Sequence, residues 1–311
     1  MSAGPSRVAA APAIAVALAG LALAAWLPGY LSRPAPGPRG EPARRIVSLS
    51  PSTTEALFAM GLGERVIGVT TNCDYPPGAG KLPCMGGYGQ PAIESILAAR
   101  PDLVAGSGQG LDVLVREIPR AGVPVYIAPD GSLEAVASGF EELGRHAGEA
   151  EAGARLAADF RAAFENARRE TAGLSDSERP KVYVEIWHDP LFAVGRDNFI
   201  DEMIEVAGGR NAIAELGRGY IRPTAEDVIR SDPDVIVTAY MTSREAPATR
   251  QFAARPGWGG VRAVREGRVW SDIDIDLLLR PGPRLADGLK RLAARLAAVR
   301  GFRPGRGGDK R

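Results

Sequence analysis

The chain has 311 residues, 45% of them hydrophobic, 24% charged and only 6% aromatic, which suits one or two cored units and excludes collagen-like or wholly disordered chains. Its 38 basic and 37 acidic residues leave a formal net charge of +1, so nucleic acid finds no electrostatic footprint. Two histidines, His146 and His188, cannot supply the imidazoles of a usual transition-metal cage, and two cysteines, Cys73 and Cys84, cannot build a four-thiolate zinc site; no bare metal ion is expected.

Residues 1–27 read as an export signal or membrane anchor. Arg7 is followed by an uncharged, Ala- and Leu-rich run from Val8 to Leu27, with an A-x-A cleavage site at Ala22-Leu23-Ala24, and the run is also long enough to stay as an uncleaved span. No cysteine follows it before Cys73, which leaves no candidate for N-terminal lipid attachment. Residues 28–43 are rich in Pro, Gly, Ala and Arg and read as a semi-rigid tether, with folding expected to begin near Arg44. The chain is therefore expected outside the cytoplasm, where Cys73 and Cys84 would pair across a short loop for about 2–3 kcal/mol; the alternative is two buried thiols.

Residues 44–130 carry an α/β grammar. Arg45 to Leu49 is a short β-type run, Ser52-Thr53-Thr54-Glu55 opens a helix ending at Gly61, and Val66 to Val69 is the next strand. A helix at Ile93 to Ala99, a strand at Leu103 to Ala105, a helix at Leu111 to Ala121 and a strand at Val123 to Ile127 complete a mainly parallel sheet. Residues 131–178 are almost continuous helix formers with a weak point at Gly148, and Leu156, Phe160 and Phe164 make one apolar stripe. At ~1.5 Å per residue a helix from Ala150 to Ala172 is about 35 Å long, enough for a strut between lobes. The grammar restarts in residues 179–300, with strands at Val182 to Ile186, Val235 to Val237 and Arg268 to Trp270, and helices at Phe199 to Ala207, Ala225 to Arg230 and Pro283 to Val299. Residues 301–311 read as a disordered tail.

A repeat sets the architecture. Tyr88, Glu94, Pro101 and Asp102 recur as Tyr220, Glu226, Pro233 and Asp234, each pair 132 positions apart, with the long helix between the copies. Two Rossmann-like lobes joined by a long backbone helix, with a ligand cleft between them, is the simplest reading. It would turn Tyr88 and Tyr220 toward one cleft and place Glu94 and Glu226 at the start of short helices. The alternative for each Glu is a first-turn carboxylate complementing its helix dipole.

These residues resemble the helical-backbone class of periplasmic substrate-binding proteins, which serve ABC importers of cobalamin, siderophores and haem. The likeness runs over roughly residues 44–300 and rests on Arg45 to Glu55, Asp74-Tyr75-Pro76-Pro77, Gly86-Gly87-Tyr88, the two Glu-x6-Pro-Asp helices and Arg280-Pro281-Gly282-Pro283-Arg284. Cys73 to Pro77 and the Tyr88 to Glu94 spacing are most similar to the cobalamin-binding branch. The resemblance implies little hinge motion, Tyr75 in the cleft, Tyr88 and Tyr220 where the enteric cobalamin binder has tryptophans, and Phe192 as a second-lobe aromatic. It also implies Asp276 and Arg280 as polar groups at the end of the last strand, and Glu94 and Glu226 as the carboxylates that dock on arginines of a permease dimer. Leu277 stands where that binder has an aromatic, so the pocket is not a copy.

A corrinoid is a wide, mostly apolar disc fringed with amides and needs aromatic faces from both sides. Tyr75, Tyr88, Trp187, Phe192 and Tyr220 are the candidate faces, though Trp187 is equally a core residue at a strand end. His188 is a candidate ligand for a macrocycle metal or a polar cleft-edge residue. The expected function is delivery of cobalamin or a related corrinoid to an ABC importer, without catalysis and without a resident cofactor. Within the class, a ferric siderophore would call for several cleft arginines, of which mainly Arg280 is foreseen, and haem would need Tyr88 or His188 as an axial ligand. The rival of another class, an exported hydrolase using Glu94 and Glu226 or Asp274 and Asp276, lacks any supporting nucleophile elbow or metal-binding helix motif.

Overall fold

Alternation of side chains along parallel strands decides how this chain packs. The computed structural model describes residues 42–108, 110–240 and 249–301, all within a unit that begins at Pro42. The expected export signal, the tether up to residue 41 and the tail from residue 302 lie outside the described residues. The packed chain starts slightly before Arg44, since Ala43 is buried and its N–H donates to the Ala147 carbonyl at 3.0 Å.

The first half runs β1 (Ile46–Ser48), α1 (Pro51–Ala59), β2 (Val66–Val69), β3 (Gly86–Gly87), β4 (Gln90–Pro91), α2 (Ile93–Ala98), β5 (Leu103–Ser107), α3 (Asp112–Arg120) and β6 (Val125–Ala128). Its main sheet has the order β2-β1-β5-β6 and is parallel throughout. Two helices follow, α4 (Leu133–His146) and α5 (Ala150–Thr171), the latter about 33 Å long at ~1.5 Å per residue. They are separated where Gly148 takes φ +76°, and a Cβ there would lie 2.4 Å from Pro42 Cα.

The second half runs β7 (Lys181–His188), β8 (Leu191–Val194), α6 (Phe199–Val206), β9 (Arg210–Asn211), β10 (Tyr220–Ile221), α7 (Ala225–Ser231), β11 (Val235–Thr238), α8 (Thr249–Ala253), α9 (Arg262–Arg265), β12 (Val269–Trp270), α10 (Asp276–Leu279) and α11 (Leu285–Gly301). Its sheet has the order β10-β8-β7-β11-β12, with β9 also on β7. The pairs β7–β11 and β11–β12 are parallel, whereas β8 and β10 add antiparallel strands that the sequence reading did not foresee.

Successive residues feed different cores, as the period of two requires. Ile46, Leu103, Ala105, Val182, Val184, Val235 and Val237 face one inner core with Phe140, Phe160, Phe164, Leu289 and Leu292. Val47 and Val104 face an outer core under α2 and α3, while Tyr183 and Ile236 face another with Phe252 and Trp258. The inner core is continuous from one lobe to the other through α4, α5 and α11. Full burial of a side chain such as Phe160 stabilises it by about 1.5–3 kcal/mol.

The 132-residue repeat has a structural basis. Asp102 accepts the N–H groups of Arg44 and Arg45 at 2.9 Å each and returns its own N–H to the Arg45 carbonyl at 2.9 Å. Asp234 accepts the Lys181 N–H at 2.9 Å and donates to the Lys181 carbonyl at 2.9 Å. Each Asp therefore locks the central parallel pair of its lobe at the strands' starting edge.

Three expectations are corrected. Cys73 and Cys84 are both free thiols: Cys73 is buried with Sγ 3.1 Å from Thr70 Oγ1, while Cys84 is exposed and points to the Gly86 carbonyl at 3.6 Å, so the two sulfurs are engaged in different surroundings. Ser50, not Ser52, caps α1, and Glu55 is buried rather than capping. Asp276 and Arg280 sit on and just after the one-turn helix α10 rather than at a strand end.

Candidate functional site

In parallel α/β sheets, loops at the carboxyl ends of strands gather on one side and make the binding edge. Here that edge carries Gly108 after β5, Asp130 after β6, His188 ending β7, Tyr240 after β11 and Asp274 after β12. Large exposed apolar side chains are few among the described residues, and three of them are Tyr75, Tyr88 and Tyr220, at 43%, 39% and 43% exposure. Rings left in water this way are candidate ligand faces.

Tyr88 follows the β3 strand and lays its hydroxyl against Gly108, where φ is +88° and a Cβ would lie 2.1 Å from the phenol oxygen. Tyr220 lies on β10 and stacks on Phe192 of β8, centroids 5.9 Å apart, so the second lobe offers a paired aromatic wall. Loss of water and then the Asp130 carboxylate raise the Tyr88 phenol pKa. The same two causes, with Tyr88 itself as a third, push Tyr220 up to about 12. Tyr88 and Asp130 of the first lobe and Tyr220 of the second thus act on one another across the opening. Asp130 was missed from sequence, although its place just after a parallel strand was a usable signal.

Tyr75 precedes a cis peptide to Pro76 and carries the Arg284 guanidinium 4.0 Å from its ring centroid. It also lines a recess of about 370 Å³ with Asp274, Leu277, Arg284, Asp287, Lys290 and Arg291. Arg284 continues inward to Glu55, which is 3% exposed and takes Nη2 at 2.6 Å and Nε at 3.0 Å. Arg280 reaches Asp74 at 2.7 Å, Asp276 at 3.0 Å and Glu55 at 3.3 Å. The Arg280 hydrogen bond holds the Asp74 carboxyl below its ordinary pKa, while burial raises that of Asp276. Arg280 is therefore the centre of an ion cluster that joins residues of the two lobes.

Trp187 is half-buried and donates Nε1–H to the Asp189 carbonyl at 2.8 Å. His188 is exposed, with its ring centroid 5.6 Å from that of Tyr240. The Tyr240 hydroxyl binds the buried Glu185 carboxylate, which Arg255 holds with two contacts of 2.8 Å. This network steadies the platform beneath His188. Glu94 on α2 and Glu226 on α7 are exposed, one on each lobe.

Comparison with known proteins agrees with this geometry. An uncharacterized ABC transporter substrate-binding lipoprotein, YvrC, of Bacillus subtilis (strain 168) is 31% identical over 80% of this chain and 79% of its own length. A vitamin B12-binding protein of Vibrio parahaemolyticus is 30% identical, covering 84% of this chain and 92% of the relative. Among solved structures, the apo periplasmic heme-binding protein RhuT from Roseiflexus sp. RS-1 superposes with a TM-score of 0.74 at 31% identity, over 83% of this chain and 99% of that one. The two-lobe α/β fold is thus shared with periplasmic solute-binding proteins. Residues 46–273 match the periplasmic binding protein family as a whole, and the chain belongs to that family.

Proposed function

We propose that this substrate-binding protein takes up a corrinoid of the cobalamin class outside the cytoplasm and presents it to the permease dimer of an ABC importer. The observation that carries the reading is the set of exposed rings from both lobes, Tyr75 and Tyr88 on one side and the Phe192–Tyr220 stack on the other, which suits a broad disc held on both faces. A neutral, amide-fringed disc is favoured over an anionic one because Arg280 and Arg284 already serve Glu55, Asp74 and Asp276. Trp187, His188 and the Asp276–Arg280 pair border the same cleft in this reading. Glu94 and Glu226 would dock on the permease, one carboxylate per half, and residues 1–27 would direct export or anchor the protein.

Haem is the second reading, favoured by the exposed Tyr88 phenol, which has the chemistry of an axial iron ligand. Visible absorption spectra recorded after incubation with cobalamin, hemin and ferric chelates separate these ligands. Under the corrinoid reading Tyr88→Ala and Tyr220→Ala each weaken cobalamin by roughly 1–3 kcal/mol; unchanged affinity in both rejects it.

A further inference from the structure

The described cleft edge holds two acidic groups that the proposed binding of a disc does not use: Asp274, whose carboxylate accepts the Asp276 N–H at 3.1 Å beside the Tyr75 recess, and Asp130. Asp130 lies two residues beyond β6, and Ala128 of that strand pairs with Ser107 of β5, immediately before Gly108. Gly108 is the residue on which the Tyr88 hydroxyl rests, so the backbone that leads to Asp130 runs beside the first lobe's tyrosine. The register thus gives the adjacency on backbone grounds. The rise of the Tyr88 and Tyr220 phenols under its influence agrees with that placement. Asp130 makes no ion pair among the described residues, whereas Glu55, Asp74 and Asp276 are each matched by arginine. Its negative charge is therefore left to act on whatever occupies the opening.

We propose that Asp130 sets the charge class of the ligand: its carboxylate beside Tyr88 and facing Tyr220 admits neutral or cationic macrocycles with donor groups at the rim, and turns away discs that carry carboxylates. The inference rests on the reading of the cleft as a macrocycle site. An amide N–H at the rim of a neutral disc can donate to this carboxylate, a charge-assisted contact. A peripheral carboxylate in the same place meets a like charge in a partly desolvated opening, where repulsion is screened less than in bulk water. It is discrimination by repulsion, which an aromatic face alone cannot supply.

The test is spectral titration of the full exported protein with hemin and, separately, with cyanocobalamin, in wild type, Asp130→Asn and Asp130→Glu. Asp130→Asn keeps the shape and removes the charge, and is expected to raise hemin affinity roughly tenfold. Asp130→Glu keeps the charge and is expected to keep hemin weak. Ultraviolet titration of the ligand-free proteins gives an independent readout, since Asp130→Asn is expected to lower the ionisation range of the tyrosine phenols. Hemin affinity in Asp130→Asn equal to wild type overturns the proposal, whatever the corrinoid does. Wild type that fails to take cyanocobalamin while Asp130→Asn still gains hemin would sink the corrinoid reading and leave the role of Asp130 standing.

Discussion

Among the described residues each lobe buries one glutamate, Glu55 in the first and Glu185 in the second, and the two are held in different ways. Glu185 sits on β7 at 0% exposure, and its arginine, Arg255, belongs to the same lobe and is packed over Phe252 and Trp258 at 4.0 and 4.7 Å. Glu55 sits on α1, and its partners Arg280 and Arg284 arrive from the far end of the chain, where Gly282 comes close enough that a Cβ would lie 3.3 Å from Ser52 Cα. One buried carboxylate stiffens a lobe from within, whereas the other ties two lobes together. The tyrosines follow the same division of labour. Tyr220 is braced by a sheet strand and a stacked ring, but Tyr88, just after β3, has no ring partner among the described residues and lays its hydroxyl against Gly108 after β5.

The largest test of this contrast is removal of each carboxylate. Glu185→Ala deprives the partly buried Arg255 of its carboxylate, and Glu55→Ala leaves Arg284 with only Asp276 at 4.0 Å while Arg280 keeps Asp74 and Asp276; each should cost about 3 kcal/mol by chemical denaturation. They should differ in kind: small-angle scattering should change for Glu55→Ala and not for Glu185→Ala, and identical scattering in both would remove the distinction. The repeated aspartates come next. Asp234→Ala should cost about 2–3 kcal/mol, because Asp234 is buried and also takes Arg262 at 2.7 Å. Asp102→Ala, whose contacts lie in exposed surroundings, should cost about 1 kcal/mol; equal losses in thermal melts would mean that burial does not separate the two lobes' clamps.

The smallest effect concerns acid. Asp74 has a depressed pKa in the folded protein because of Arg280, so its contribution is complete above the unfolded value of 3.8 and is lost as pH falls through the lower folded value. The pair is largely solvated on the Asp74 side, which limits it to about 0.5 kcal/mol. Stability difference curves between wild type and Asp74→Asn should therefore converge only below about pH 4; a gap that closes near neutrality would assign the effect to another group.

Local signals carried much of the architecture. The run from Arg45 to Leu49, the Glu-x6-Pro-Asp repeat and the Gly148 break each report chemistry between near neighbours, and they led to the parallel pairs and the helix hairpin. Features settled by distant contacts were not legible. Glu55 looked like a capping residue because nothing nearby in sequence announces Arg280 and Arg284, which lie 225 and 229 positions away. The cysteine pair misled for the converse reason: proximity along the chain says nothing about which way each thiol faces. The antiparallel β8 and β10 strands were hidden by their brevity, at four and two residues. Asp130 stood where the geometry of parallel strands gathers functional groups, yet a single acidic residue beside Pro129 and Gly131 reads as a turn until its neighbour Gly108 is known.

The inner core that passes without interruption from one lobe into the other has a consequence for signalling. A receptor whose halves share the same buried phenylalanines has little freedom to announce occupancy by a clamshell motion. The message that the cleft is filled must then travel by other means: as the ligand's own surface bridging two fixed rims, or as a change in electric field at an opening whose charges stay in place. For a docking machine that scans many such receptors, an empty and a loaded copy would present the same silhouette and differ in what lies between the jaws.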